Sequence, residues 1–342
     1  MTILPSTMAS VELPRRGRGR PSPSADAVYR EQVASWRALI LEIKSSMDFS
    51  VGARGWCYIL ENRNALRKGN FDVAERLITD CRKSGDLPLD ICAEDDSRET
   101  IGLEKEIAGT TVEEEAADWV DYLRNRAHES YRPISFWDDR DVYVEVAVEK
   151  LDLRNLFEPV CKEFYVPLTN FKGWSDLNAR AAMMRRFARR ESEGRRCVLL
   201  LCTDLDPGGL DQANKMRKNL EDLAHAVGWS PENLIIIRFG LDADFVNRHR
   251  LTWIDNLETS SGQDLGDRNH PDHFKPYVQD YIREYGKRKV EANALVVLPE
   301  IGRRLCRDAI LRFIPTDAPE KYRRKLHRVR LQLRRAIRKQ LP

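Results

Sequence analysis

The second half of the chain alternates apolar runs with amphipathic stretches, and this alternation limits the possible fold more than any other feature. Three runs, Val142–Val148, Cys197–Cys202 and Leu234–Phe239, are apolar at nearly every position. Runs of this kind predict strands that are covered on both faces. A further short strand is predicted at Val166–Leu168. Because helix-patterned segments lie between the strands, we expect an α/β fold built from βαβ units around a parallel sheet.

The helices between these strands are predicted at about Leu153–Phe164, Asp176–Arg190 and Leu210–Ala226. The region Asp272–Ile314 predicts further helices around a short extended piece at Ala294–Leu298.

The first part of the chain predicts a different architecture. Residues 1–26 are rich in Pro, Ser, Arg and Gly, which is typical of a disordered basic arm. Helical periodicity follows at Ala27–Ile43 and across Phe49–Arg82, before a short extended element at Leu87–Ile91. Such a helical bundle is typical of a winged helix, so we expect an α+β domain over residues 27–130. We expect the sheet domain with its C-terminal helices over 131–318, and a basic amphipathic tail over 319–342.

Composition and charge exclude several classes of protein. Hydrophobic residues make up 42% of the 342 residues, yet no apolar run reaches the roughly 20 residues that a membrane helix needs. There is no apolar signal-peptide core, and the seven cysteines form no CxxC pair, so we expect a cytoplasmic protein with reduced thiols. Net charge is only +3, but both ends of the chain are strongly basic. This distribution indicates a polyanionic partner, with a merely solvated tail as the alternative.

Three carboxylates follow two of the predicted strands directly. Glu149 comes after Val142–Val148, and Asp204 and Asp206 come after Cys197–Cys202. Because ligands of open α/β sheets bind outside the carboxyl ends of the strands, we expect these side chains to meet at one edge. Oxygen ligands of this kind suit Mg²⁺ or Mn²⁺. The alternative for the two aspartates is a turn and helix-cap role before the glycines that follow.

The elements Val148-Glu149-Lys150, Gly173-Trp174-Ser175-Asp176 and Asp204-Leu205-Asp206-Pro207-Gly208-Gly209 together resemble a Toprim domain. The version they resemble is that of the type IIB topoisomerase A subunit (topoisomerase VI) and its meiotic break-forming relatives. Val290–Leu295 resembles a further family element, in which Asn293 replaces the usual acidic residue. The resemblance covers roughly Phe49–Ile314. It implies a CAP-like winged helix followed by a Rossmann-like Toprim domain, with Glu149, Asp204 and Asp206 holding Mg²⁺.

The stretch Arg54-Gly55-Trp56-Cys57-Tyr58 resembles the winged-helix segment that carries the family's catalytic tyrosine. The resemblance implies that Tyr58, assisted by Arg54, attacks a phosphodiester and forms a phosphotyrosyl link to DNA. Two alternatives stay open for this chain. In the first, Tyr58 is only a core residue, and the protein is a hydrolytic Toprim nuclease of defence or of a mobile element. In the second, the protein binds DNA without cutting it.

Further features predict double-stranded DNA as the partner. Arg18-Gly19-Arg20-Pro21 resembles an AT-hook, in which arginines enter a narrow minor groove. Arg180, Arg185 and Arg186 lie on a predicted helix and are candidates for phosphate contacts. Since a duplex needs two cuts, we expect a homodimer. The sequence has no GxxxxGK[ST] loop, so ATP-driven strand passage would need a separate ATPase subunit. These features predict a nucleoid-associated protein.

Overall fold

The computed structural model describes residues 11–16, 22–93, 111–171, 177–259 and 262–341. Four strands lie in the second half of the chain: β1 Val142–Val148, β2 Leu168–Asn170, β3 Arg196–Thr203 and β4 Ile235–Gly240. The helices before β1 are α1 Pro23–Ser45, α2 Ala53–Asn62, α3 Phe71–Lys83 and α4 Val112–Asn125. Those after it are α5 Leu151–Glu163, α6 Leu177–Ser192, α7 Pro207–Leu210, α8 Gln212–Glu221, α9 Ala224–Val227, α10 Ala243–Arg248, α11 Pro276–Tyr285, α12 Pro299–Leu311 and α13 Ala318–Gln340.

The four strands form one parallel sheet in the order β2-β1-β3-β4, which confirms the predicted mixed α/β fold with a parallel sheet. In the pairing of β1 with β3, Val142 lies opposite Arg196 and Val148 opposite Cys202. Both strands therefore end at the same edge of the sheet. β1 has the predicted bounds, and β3 and β4 each differ from the prediction by one residue at both ends.

Helices cover the sheet, which explains why its strands are continuously apolar. α5 packs with α12, and α6 packs with α8, and all four contact the strands. Almost every residue of β1 and β3 is buried. Glu145 is the one charged residue of β1, and it is buried as well. Its carboxylate accepts two hydrogen bonds of 2.8 Å from Arg186 and one of 2.7 Å from Tyr143. A buried charge is tolerated only when it is paired and hydrogen-bonded in this way.

The N-terminal helices share one continuous hydrophobic core with the sheet region. α2 packs against a 3₁₀ helix at Ala292–Val297. Just before the start of α2, the Gly52 N–H donates to the Asp152 side chain, and the Asn155 side chain donates to the Ser50 carbonyl at 2.8 Å. The Trp56 indole N–H donates to the Ile91 carbonyl at 2.8 Å. These contacts fix the position of α2 relative to α5.

Several short elements differ from prediction. The residues Leu89–Ile91 and Ala292–Val297 form 3₁₀ turns, so the extended elements predicted there are wrong. β2 begins two residues later than expected. The helix predicted at Leu210–Ala226 is divided into α7, α8 and α9, with breaks at Asp211 and at Asp222–Leu223. At 292–297 the run is apolar and mostly buried, and a run of this length fits either a strand or a helical turn. Leu87–Ile91 is buried only at its two ends, so it offers no continuous apolar face for a strand.

The two ends of the chain also differ in part from prediction. Leu13 is buried, and α1 begins at Pro23, where the Ser22 hydroxyl accepts the Ala25 N–H. Disorder throughout residues 1–26 is therefore wrong for these residues, because a buried leucine and a capped helix start order them. The amphipathic tail is helical, as α13, and buries Tyr322 and Leu326. Among the residues described, no helix is both long and apolar enough to cross a membrane.

Candidate active site

Glu149 and Asp204 leave the sheet at the same edge because β1 and β3 are paired in register there. Val148, which precedes Glu149, lies opposite Cys202 in the sheet. Asp204 is 8% exposed, and its Oδ1 accepts the Ala292 N–H at 2.8 Å. Burial raises the pKa of Asp204, against the opposing charge of Lys150. The prediction that these two carboxylates lie together therefore agrees with their positions in the structure.

Asp206 joins the same group of side chains. It caps the N-terminus of α7, where its Oδ1 accepts the Gly209 N–H. Burial and the charge of Asp204 raise the pKa of Asp206. Glu149, Asp204 and Asp206 line one small cavity of about 290 Å³ together with Gly208 and Gln212. Asp206 therefore caps a helix, which was the alternative to a metal-binding role, and also lines the cavity.

Lys150 is the closest cation to this group, and sequence reasoning gave it no role. Its Nζ lies 3.0 Å from Glu149 Oε1 and 3.2 Å from Asp204 Oδ2. Burial disfavours the charged lysine, but Asp204 and Glu149 outweigh it and raise the pKa of Lys150. The ammonium group is therefore held between two carboxylates that would otherwise repel each other.

Glu291 is a fourth carboxylate at this edge, and sequence reasoning assigned it no function. An antiparallel bridge between Leu205 and Val290 brings it there, with N–H···O distances of 2.8 and 3.0 Å. Burial opposes its ionisation, but the hydrogen bond from Tyr58 and the charges of Arg54 and Lys68 lower the pKa of Glu291. The resemblance of Val290–Leu295 to a family element was the signal that could have identified Glu291.

Tyr58 lies on α2 and is only 3% exposed. Its hydroxyl donates to Glu291 Oε2, and its ring meets Phe71 edge to face at 5.1 Å. Burial and the negative charge of Glu291 raise the pKa of Tyr58 far above its usual range. Arg54 is one turn earlier on α2 and pairs with Glu75 at 3.3 Å. The predicted nucleophile Tyr58 is thus hydrogen-bonded to Glu291, the fourth carboxylate at this edge of the sheet.

A cleft of about 1170 Å³ opens over this edge of the sheet. Its walls carry seven carboxylates, which are Glu149, Asp204, Asp206, Asp255, Glu258, Asp272 and Glu291. The lysine and arginine side chains in its walls are Arg54, Lys68, Lys150, Lys215 and Lys289. Tyr58 is not part of the wall, whereas Glu291, which accepts its hydroxyl hydrogen bond, is. Cations beside carboxylates suit a ligand that carries phosphates and a divalent ion.

The carboxylates fit a divalent cation by their chemistry, although they are not assembled around one. Hard oxygen donors with low exposure gain from a nearby positive charge, and the structure provides one in Lys150. Across the described ranges, no three His, Cys, Asp or Glu side chains stand close enough to hold a metal ion as they are. A metal would therefore require at least one of these carboxylates to move closer to the others.

The predicted DNA-binding arginines have different surroundings. Arg180 is 9% exposed and donates to the Asn219 carbonyl at 2.9 Å, while Arg186 pairs with buried Glu145. The Arg180 side chain is therefore buried, whereas Arg186 stays 40% exposed although its guanidinium group pairs with Glu145. Arg185 is exposed on the same helix. Arg18 and Arg20 lie outside the described residues, as does the Gly173–Asp176 element.

Comparisons of the chain with protein-family models, with curated proteins and with solved structures gave no match.

Proposed function

We propose that the protein cleaves DNA strands in a Mg²⁺- or Mn²⁺-dependent reaction, as a topoisomerase VI A-like transesterase with Tyr58 as nucleophile. The observation that carries this proposal is the convergence of Glu149, Asp204 and Asp206 on one cavity at the carboxyl edge of a parallel sheet. The resemblance to a winged-helix and Toprim arrangement agrees with that convergence. A duplex substrate favours a homodimer working at the nucleoid, with any ATPase activity in a separate subunit.

The cation held by these three carboxylates would neutralise charge on a bound phosphate and on the transition state. The residues of the chain would bind the phosphate and orient the tyrosine. Arg54 and Lys68 line the cleft beside Glu291 and are placed to bind phosphate oxygens. Glu291 holds the Tyr58 hydroxyl in one orientation.

The covalent step would form a bond between Tyr58 Oη and phosphorus, and would break the bond between phosphorus and one sugar oxygen. The phenolic proton passes to Glu291, and the departing sugar oxygen takes a proton from water. Because Tyr58 does not line the cleft, the Glu291 carboxyl group would have to turn aside with the proton for the phosphate to reach the tyrosine oxygen. Cleavage in this form conserves the phosphodiester energy, so the strand can be rejoined.

A second candidate function is hydrolytic cleavage in the same cleft, with water as nucleophile. The burial of Tyr58 and its packing on Phe71 favour this alternative, since both are features of a structural tyrosine. The two functions share the acidic group and the substrate. They differ in whether the tyrosine hydroxyl is consumed in the reaction.

The deciding experiment is incubation with supercoiled plasmid and Mg²⁺ or Mn²⁺, stopped with detergent and analysed with and without proteinase. Transesterification predicts nicked or linear DNA that carries bound protein, and Tyr58→Phe removes both the cut and the adduct. Hydrolysis predicts cuts that Tyr58→Phe retains, without adduct. Asp204→Asn abolishes cutting in either case.

Tyr143→Phe is the matched control, because Tyr143 is also a buried tyrosine whose hydroxyl donates to a glutamate, Glu145, but it does not line the cleft. Loss of activity in both tyrosine variants would indicate a folding effect. Binding of DNA without any cutting, unaffected by Asp204→Asn, would refute both enzymatic functions.

A further inference from the structure

The ammonium group of Lys150 lies between two of the proposed metal ligands. It is 3.0 Å from Glu149 Oε1 and 3.2 Å from Asp204 Oδ2, and about a quarter of the side chain is exposed. Its backbone is fixed, since Lys150 joins the end of β1 to the first turn of α5. The position of this charge is therefore built into the strand-to-helix junction.

Glu149 and Asp204 need a positive charge beside them even when no metal is bound. The side chain of Asp204 is only 11% exposed, so water hydrates its charge poorly. With Glu149 and Asp206 lining the same cavity, three negative charges without a cation would repel one another. Lys150 relieves this repulsion in the metal-free protein.

A divalent ion cannot take up the same oxygens while Lys150 holds them. Mg²⁺ binds carboxylate oxygens at about 2.0–2.1 Å, closer than the ammonium group approaches them, so the two cations would compete for the same space. Two cations of like charge at that spacing repel strongly. Lys150 also lines the large cleft, so its flexible side chain has space to turn toward a ligand there.

We propose that Lys150 is an internal counter-ion that competes with the divalent cation for Glu149 and Asp204, and that moves to the DNA phosphate when the metal binds. This inference rests on the proposed function. The competition keeps metal affinity low in the free protein. A bound phosphate supplies further oxygens for the metal and a new partner for Lys150, so metal and DNA bind cooperatively.

The test is the affinity of the intact chain for Mn²⁺ alone, measured by calorimetry or by the loss of the free-ion EPR signal. Lys150→Met is expected to bind Mn²⁺ at least about tenfold more tightly than wild type, the factor for losing one competing charge-assisted contact. A short DNA duplex should tighten Mn²⁺ binding in wild type and tighten it less in the variant. Thermal melting without metal should show a folded but less stable variant.

Lys215→Met is the matched control for removing one positive charge from the same cleft. Lys215 pairs with Asp211 at 3.8 Å and lies over the Tyr277 ring. Its loss is expected to leave Mn²⁺ affinity within about twofold of wild type, because it frees neither Glu149 nor Asp204. Lys150→Gln provides a second neutral variant if Lys150→Met does not fold.

The outcomes separate this inference from the proposed function. If wild type binds Mn²⁺ through Asp204 but the Lys150 variants bind equally or more weakly, Lys150 is not a competitor and only this inference fails. An equal gain in Lys215→Met also overturns it, because the effect would be general electrostatics. If neither wild type nor the Lys150 variants bind Mn²⁺ in a way that Asp204→Asn removes, the metal site itself fails.

Discussion

Gly208 and Gly209 offer a sharp test of the geometry at the acidic edge. The two residues are adjacent in α7. A Cβ built on Gly209 would lie 2.1 Å from the Asp204 carbonyl oxygen and 3.1 Å from Asp206 Oδ1. A Cβ on Gly208 would find its nearest atom, Asp206 Oδ1, at 3.4 Å. The first contact is impossible without movement, and the second is ordinary packing.

The size of the effect follows from these distances. Carbon and oxygen approach one another to about 3.3 Å, so Gly209→Ala must move the turn or the Asp204 backbone by roughly 1 Å. Overpacking of this kind costs about 1–3 kcal/mol of unfolding free energy. Both substitutions gain similarly from replacing a helical glycine, about 0.5–1 kcal/mol. The difference between the two variants therefore isolates the clash.

Urea denaturation followed by circular dichroism measures the stability difference, and plasmid cleavage measures its effect on function. We expect Gly209→Ala to be less stable than Gly208→Ala by about 1–3 kcal/mol. A 1 Å displacement of Asp204 or Asp206 should also lower the cleavage rate by the order of a hundredfold. Equal stability in the two variants would refute the close approach of Gly209 to the Asp204 carbonyl, and equal cleavage with unequal stability would refute the role of the two aspartates.

Three further perturbations test other parts of the structure. Arg303 hydrogen-bonds Asp48 at 2.7 and 3.0 Å and lowers the pKa of Asp48, so this pair contributes stability above about pH 3.9 that is lost on further acidification. Asp48→Asn should therefore flatten the acid limb of a stability–pH curve measured by urea unfolding, and an unchanged limb would contradict the pairing. Arg186→Met should cost about 1–3 kcal/mol because it leaves buried Glu145 without its guanidinium partner, whereas exposed Arg185→Met should cost under about 0.5 kcal/mol; equal urea midpoints would refute this. Replacing exposed Arg328 and Arg335 of α13 with Gln should lower the slope of log K against log salt for DNA binding by about two, and an unaltered slope would exclude α13 from phosphate contact.

The sheet was predictable because its strands are long and buried on both faces. β1 and β3 carry continuous apolar runs, and such runs have few other stable arrangements. Positions 292–297 show the limit of this reasoning. Ala-Asn-Ala-Leu-Val-Val is also mostly apolar, but it forms a 3₁₀ helix that packs against α2 and α5, and Pro299 starts α12 directly afterwards. Such packing is a tertiary effect that no local pattern contains.

The candidate site was predictable only where strands end. Glu149 and Asp204 directly follow paired strands, so the topology alone brings them together. Glu291 depends instead on the bridge between Leu205 and Val290, which joins distant parts of the chain. The role of Lys150 depends on a side-chain rotamer that points back to Glu149 and Asp204. Neither long-range pairing nor rotamer choice leaves a periodic signal in the sequence.

The tethering of α2 decides how Tyr58 could reach a substrate. The Gly52 N–H and the Ser50 carbonyl are held by Asp152 and Asn155 of α5. A Cβ on Gly55 would lie 2.6 Å from Asp152 Oδ2, so α2 and α5 have no spare space between them. Because α5 starts at the same junction that carries Glu149 and Lys150, a rigid shift of α2 would disturb the acidic edge itself. In the proposed reaction, the smaller change that would expose the tyrosine hydroxyl is therefore a side-chain movement of Glu291, the group that accepts its hydrogen bond.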